Sequence, residues 1–122
     1  MNTHEDRAEH YLLHILESLD VILQYTSGVT WDDFQTNRML RDAVLRNIGI
    51  VGEAAKQLLD IAPKFSSKHP EIPFAQIYGM RNRVIHGYST VDPVVVWDVV
   101  QADVPELRRQ VSVVLDGIQG QS

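Results

Sequence analysis

Along most of the chain, apolar residues recur at steps of three and four, the repeat of a helix with one buried face. The first such segment runs from about Thr3 to Tyr25, with Leu12, Ile15, Leu16, Leu19, Ile22 and Leu23 as its stripe and Ser27-Gly28 as its stop. Thr3 and Asp6 read as its N-cap pair. A second start falls at Thr30, with Asp32 and Asp33 in the first turn. The long element after it is expected over Asn37–Ala62, with the stripe Leu40, Val44, Ile48, Val51, Ala55, Leu58 and Ala62. Pro63 ends it, and 64–73 reads as a loop. A third helix is expected from Pro73 to Ile85 or His86, stopped by Gly87. Asp92-Pro93 is a strong start signal, an acid at the N-cap and proline in the first turn. The run Val94-Val95-Val96-Trp97 with Val99-Val100 has strand propensity. No second strand exists for it to pair with, and a lone strand leaves backbone groups unsatisfied, so helix is expected here too. A last helix is expected from Asp103, with Pro105 early, Glu106 completing a capping box, and Leu107, Val111, Val114, Leu115 and Ile118 facing inward. The expectation is an all-α bundle of four or five helices in one domain spanning residues 1–122.

Composition narrows the function. The 122 residues are enough for one core without a metal or disulfide, and the absence of cysteine removes thiolate zinc sites and thiol nucleophiles. Neither a membrane span nor a signal peptide is read, so a cytoplasmic location is expected. Eleven basic residues against 16 acidic ones give a net charge of -5, which argues against broad adhesion to nucleic acid. The average hides one segment: the 20 residues from Ile72 to Val91 hold no acid but contain Arg81, Arg83 and His86.

Arg81, Asn82, His86 and Tyr88 combine a fixed cation, an amide, a titratable imidazole and a phenol. That set suits work on a phosphodiester: the histidine passes a proton near neutral pH, and the guanidinium holds the phosphate and its developing charge. Arg81 and His86 are five residues apart, about 140° around a helix, so they flank a site rather than touch. No carboxylate cluster accompanies them, which disfavours two-metal chemistry. A metal-free route uses the 2′-hydroxyl as nucleophile and so restricts the substrate to RNA. By spacing alone, an arginine and a histidine near a helix end are more often complements to the helix dipole than catalytic groups.

Arg81-Asn82-x-x-x-His86, extended to His86-Gly87-Tyr88, resembles the HEPN superfamily, and more narrowly its HepT-like ribonuclease toxins. Three further stretches share the resemblance in the same order: Arg41–Val44 through Ile50–Ala55, His69–Pro73 leading to Gly79–Asn82, and Val91–Asp98 with Val104–Leu107. The resemblance implies a HEPN-type bundle that forms a homodimer, with two Arg-x4-His motifs meeting in one cleft. It implies a metal-independent endoribonuclease in a type VII toxin–antitoxin system, with Arg81 and His86 catalytic, Asn82 and Arg83 supporting, and no cofactor or metal. The partner implied is an MntA-like nucleotidyltransferase antitoxin that transfers AMP to Tyr88, setting a bulky anion beside the histidine. Phe74 departs from the pattern where tryptophan is expected. A different class stays open, a non-catalytic dimer that binds nucleotide or serves as scaffold or substrate for the nucleotidyltransferase.

Other residues leave alternatives. Gly49 and Gly52 permit close backbone approach, within the chain or at a subunit contact. Glu53 pairs with Lys56 or steadies Arg81, and Asn82 orients the phosphate or the imidazole or fastens a neighbouring helix. Arg83 reads as a solvated or phosphate-steering charge. His10 and His14 read as exposed helical positions rather than a metal site, and Trp31 and Trp97 as packing residues.

Overall fold

The computed structural model describes residues 3–84 and 91–120. Two helices of 24 residues each, α1 (Thr3–Thr26) and α3 (Arg38–Ile61), form the backbone of the bundle, each about 36 Å long. They pack along one another; α5 (Phe74–Val84) lies on the far side of α3, and the C-terminal helix lies on α1. The described residues contain helices and no strands, in keeping with the all-α expectation.

The apolar stripes meet as their spacing requires. Leu12, Ile15, Leu19 and Ile22 from α1 are fully buried, as are Val44, Ile48, Val51, Ala55 and Leu58 from α3. Leu107, Val111, Val114 and Leu115 close the core from the C-terminal helix. The valine run is helical, and Val96, Val99 and Val100 are buried in it.

Local chemistry sets the boundaries. Gly28 adopts φ +72°, the left-handed turn that ends α1. Thr30 then caps the short helix α2 (Trp31–Thr36): its hydroxyl accepts from the Asp33 amide at 3.2 Å, and its own amide donates to the Asp33 carboxylate at 3.4 Å. Asn37 ends α2 and begins α3, its side chain accepting from the Leu40 amide at 3.0 Å. The Arg41 guanidinium reaches back to the carbonyls of Phe34 and Gln35, which the end of α2 leaves without helical partners. Phe34, Trp31 and Trp97 form an aromatic cluster, with Phe34 and Trp97 rings 5.0 Å apart, so both tryptophans are packing residues as expected.

Two expectations need correction. The stretch expected to be loop begins with a short helix, α4 (Pro63–Lys68). Pro63 presets the first turn, Phe65 anchors it in the core, and Ser66 and Ser67 donate their hydroxyls to the Pro63 carbonyl at 2.9 and 3.0 Å. Ser66 and Ser67, residue types common in loops, are satisfied here inside the helix.

The second correction concerns the C-terminal third. No new helix starts at Asp103. Instead α6 (Pro93–Asp98), capped by the Asp92 carboxylate on the Val94 amide at 2.9 Å, runs through a π-helical stretch at Val99–Asp103 into α7 (Val104–Gly120). Across the stretch the Val104 amide donates to the Val99 carbonyl, five residues back. Pro105 explains the widening: it has no amide hydrogen, and its ring would strike the carbonyl four residues earlier in a regular α-helix. Glu106 is not part of a capping box either, because its carboxylate is taken by Arg109 at 2.6 and 3.1 Å.

Phe34 is the largest fully buried side chain and ties the six-residue α2 to the bundle. Phe34→Ala should lower the unfolding free energy by about 3–5 kcal/mol, read as a lower denaturant midpoint at unchanged slope.

Candidate functional site on helix α5

Helix α5 buries Phe74, Ile77, Met80 and Val84, and so turns Arg81 toward α3. There the arginine stem lies across Gly52. A Cβ added at Gly52 would overlap the Arg81 Cβ and come within 2.6 Å of its Cγ. The glycine in the middle of α3 is thus accounted for within the chain: it lets α5 settle close enough for the arginine to lie flat on the α3 backbone. Its neighbour in the sequence pattern, Gly49, is half-buried.

The guanidinium is held at one end and unsatisfied at another point. Arg81 Nη1 donates to the Asn82 Oδ1 at 2.9 Å, and the Asn82 side chain is exposed. Asn82 therefore acts on the arginine itself, a contact that neither of its sequence readings named. Arg81 Nε is buried, with no hydrogen-bond partner among the described residues. A buried guanidinium N–H without an acceptor is costly, and such groups in native structures call for an explanation.

Arg83 points elsewhere. It is exposed and pairs with Asp103 of the π-helical stretch at 3.5 Å, rather than standing free in solvent. An exposed pair at that distance contributes little to stability but fixes where the side chain lies. His86 and Tyr88 fall outside the described residues. The Glu53 reading is corrected: Lys56 pairs with Asp60 at 3.2 Å, which raises the lysine pKa above its ordinary value, while the Glu53 carboxylate accepts from Gln57 at 3.3 Å. His10 and His14 stack edge-on, with rings 4.5 Å apart on the exposed face of α1. Among the described residues, no group of three or more histidines and carboxylates is placed to hold a metal ion. No described helix is long and apolar enough to cross a membrane.

A cleft of about 490 Å3 opens on another side of α5, between it and the rod formed by the π-helical stretch and α7. Ile77, Met80 and Leu107, all buried, supply apolar lining, and Gln76, Gly79, Arg83, Asp103 and Glu106 line it as exposed residues. Arg109 holds the Glu106 carboxyl below the usual carboxylate range by hydrogen bonding to it, so Glu106 is an anion and acceptor at neutral pH. Sequence reasoning missed this cleft. The acid-free segment is free of acid only along the chain, because Asp103 and Glu106 come to α5 from the rod. Gly79 inside a helix and Pro105 inside another were the available signals.

Against this geometry the comparisons with known proteins are direct. Residues 15–114 match the family described as "Ribonuclease HepT-like". A "Probable ribonuclease HepT" of Thermococcus cleftensis is 37% identical over 98 residues, covering 80% of this chain and 86% of its own. A "Putative RNase" of Methanocaldococcus jannaschii is 34% identical over 104 residues, covering 85% and 93%. A second protein of that organism, "Gamma-glutamylcyclotransferase and putative RNase", is 41% identical over 106 residues, which are 87% of this chain. The chain spans about half of that larger relative, 46% of its length. No solved structure matches. The chain belongs to the HepT-like ribonuclease family.

Two glycines give opposite predictions. Gly52→Ala should destabilise by about 1–3 kcal/mol, because the atom it meets is the Arg81 Cβ and α5 must move as a body. Gly79→Ala should stabilise by up to about 1 kcal/mol, because no described atom lies within 4 Å of the added Cβ and alanine favours a helix. Paired thermal melts check both signs.

Proposed function

We propose that this chain is the toxin of a two-component toxin–antitoxin system, acting as a metal-independent endoribonuclease through Arg81 and His86. The observation that carries the reading is the Arg81 guanidinium, backed onto Gly52, oriented by Asn82 and left with a buried N–H that lacks an acceptor among the described residues. A phosphate is an anion of the geometry that such a fork binds. Membership of a ribonuclease family supports RNA as the substrate.

In this mechanism the 2′ oxygen of one nucleotide bonds to the adjacent phosphorus while the bond from phosphorus to the 5′ oxygen breaks. The His86 imidazole takes the 2′-hydroxyl proton, and an imidazolium, its own or that of a second copy, gives a proton to the departing 5′ oxygen. Arg81 stabilises the charge gathering on the phosphoryl oxygens. The products are a 2′,3′-cyclic phosphate and a 5′-hydroxyl. The working form is a homodimer in which two such motifs share a cleft.

The partner is an MntA-like nucleotidyltransferase that silences the toxin by adenylylation. The Tyr88 oxygen bonds to the α-phosphorus of ATP and pyrophosphate leaves, so that AMP occupies the ground beside His86. The added anion repels RNA phosphates as well as obstructing them.

Cleavage of RNA in EDTA should fall at least about 100-fold in Arg81→Ala and in His86→Ala, with the folded state retained. Full activity in both variants removes these residues from the chemistry, and no cleavage by the native chain favours the binding-module reading. After co-expression with the nucleotidyltransferase, intact mass should rise in steps of one AMP in the native chain and stay unchanged in Tyr88→Phe. A native chain without the increment rejects the modification.

A further inference from the structure

Among the described residues, nothing requires Gly79 to be glycine. It is exposed on α5, its φ is not positive, and a Cβ there would meet open space, unlike the Cβ at Gly52. A glycine in a helix interior is nonetheless less stable than alanine. Its one structural distinction is that it lines the cleft between α5 and the rod.

That cleft has the size and make-up of a small-molecule site, with apolar side chains below and a few polar groups converging at the edge. Ile77, Met80 and Leu107 offer a surface for a flat ring, and the missing side chain at Gly79 lets such a ring approach the helix. Asp103 and Glu106 at the edge are each paired with an arginine, Arg83 and Arg109, which offsets their charge and leaves them lone pairs. A group that donates hydrogen bonds can meet those lone pairs. Gln76 and Gln110, also in the lining, add amides that both donate and accept.

We propose that this cleft is a nucleobase subsite, and that it selects adenine and cytosine, whose exocyclic amines stand where uracil has a carbonyl, over uracil. The inference rests on the ribonuclease reading above and adds a determinant of which RNA positions are cut. An amine hydrogen donates to a carboxylate, whereas the uracil carbonyl at the same position opposes it. Gly79 and Arg81 lie two residues apart on one helix, about 3 Å along its axis and about 200° around it. A strand whose phosphate meets Arg81 therefore crosses the exposed face of α5, past Asn82, before a base further along it enters the cleft. Arg83 remains a rim group, held by Asp103.

The test uses the full chain and fluorescein-labelled 2′-O-methyl hexaribonucleotides of A, C and U, which lack the nucleophile and report binding alone. The native protein should bind the A and C hexamers about tenfold more tightly than the U hexamer, the scale of one good base-edge contact. Gly79→Leu, which fills the cleft with a good helix former, should shrink that difference to less than about threefold. Glu106→Gln, which keeps the shape but supplies an N–H, should do so by raising affinity for U. Equal binding of the three hexamers by the native protein overturns the proposal, as does a preference unchanged in Gly79→Leu. A change of oligomeric state in Gly79→Leu, read by sedimentation, also overturns it and makes the cleft a seat for a second copy. Native cleavage of ordinary RNA without base preference defeats the subsite alone. Base-selective binding without cleavage defeats the ribonuclease reading alone.

Discussion

The close approach of α5 to α3 at Gly52 is the constraint from which the rest of the site follows. Arg81 lies beside the buried face of α5, formed by Phe74, Ile77, Met80 and Val84, and its stem runs outward across the α3 backbone. Any side chain larger than hydrogen at position 52 would occupy that path. The cost of a glycine inside a 24-residue helix, about 1 kcal/mol, is small beside the core that α3 buries. In return the arginine stem is clamped along its length, and the charged head is set by packing rather than by a flexible loop.

A second local compromise shapes the opposite side of α5. Pro105 cannot sit in a regular α-helix, and the π-helical stretch before it absorbs the misfit without breaking the rod. The wider turn presents Asp103 to Arg83 and stands Glu106 beside the cleft. The two sides of α5 therefore differ in chemistry. One carries Arg81, whose buried Nε lacks an acceptor among the described residues, and the other Asp103 and Glu106, each paired with an arginine.

The fold was legible because the long helices declare themselves by periodicity and caps. Thr30, Asn37 and Asp92 each cap as their residue type predicts, and the valine run is helical, with no strand among the described residues to pair with it. Where reading failed, two local rules competed. Ser66 and Ser67 signal a loop when isolated but close a short helix after Pro63, and Pro105 signals a start unless a π turn accommodates it. The Arg81 site was legible in part: its residue type and neighbours were in the sequence, whereas its contact with Gly52 joins residues 29 apart. The choice between an intrachain and an intersubunit role for that glycine needed coordinates. The cleft was illegible because Asp103 and Glu106 are distant in sequence from the helix they face.

The central claim, that the Gly52 contact positions a guanidinium for chemistry on RNA, is tested most directly by kcat/KM for RNA cleavage in Gly52→Ala. The assay is run in EDTA at a temperature where the variant is fully folded. The account predicts at least a tenfold loss, carried mainly by kcat, because the arginine is displaced from the transition-state charge it must meet. Native kcat/KM in a folded Gly52→Ala protein would contradict it.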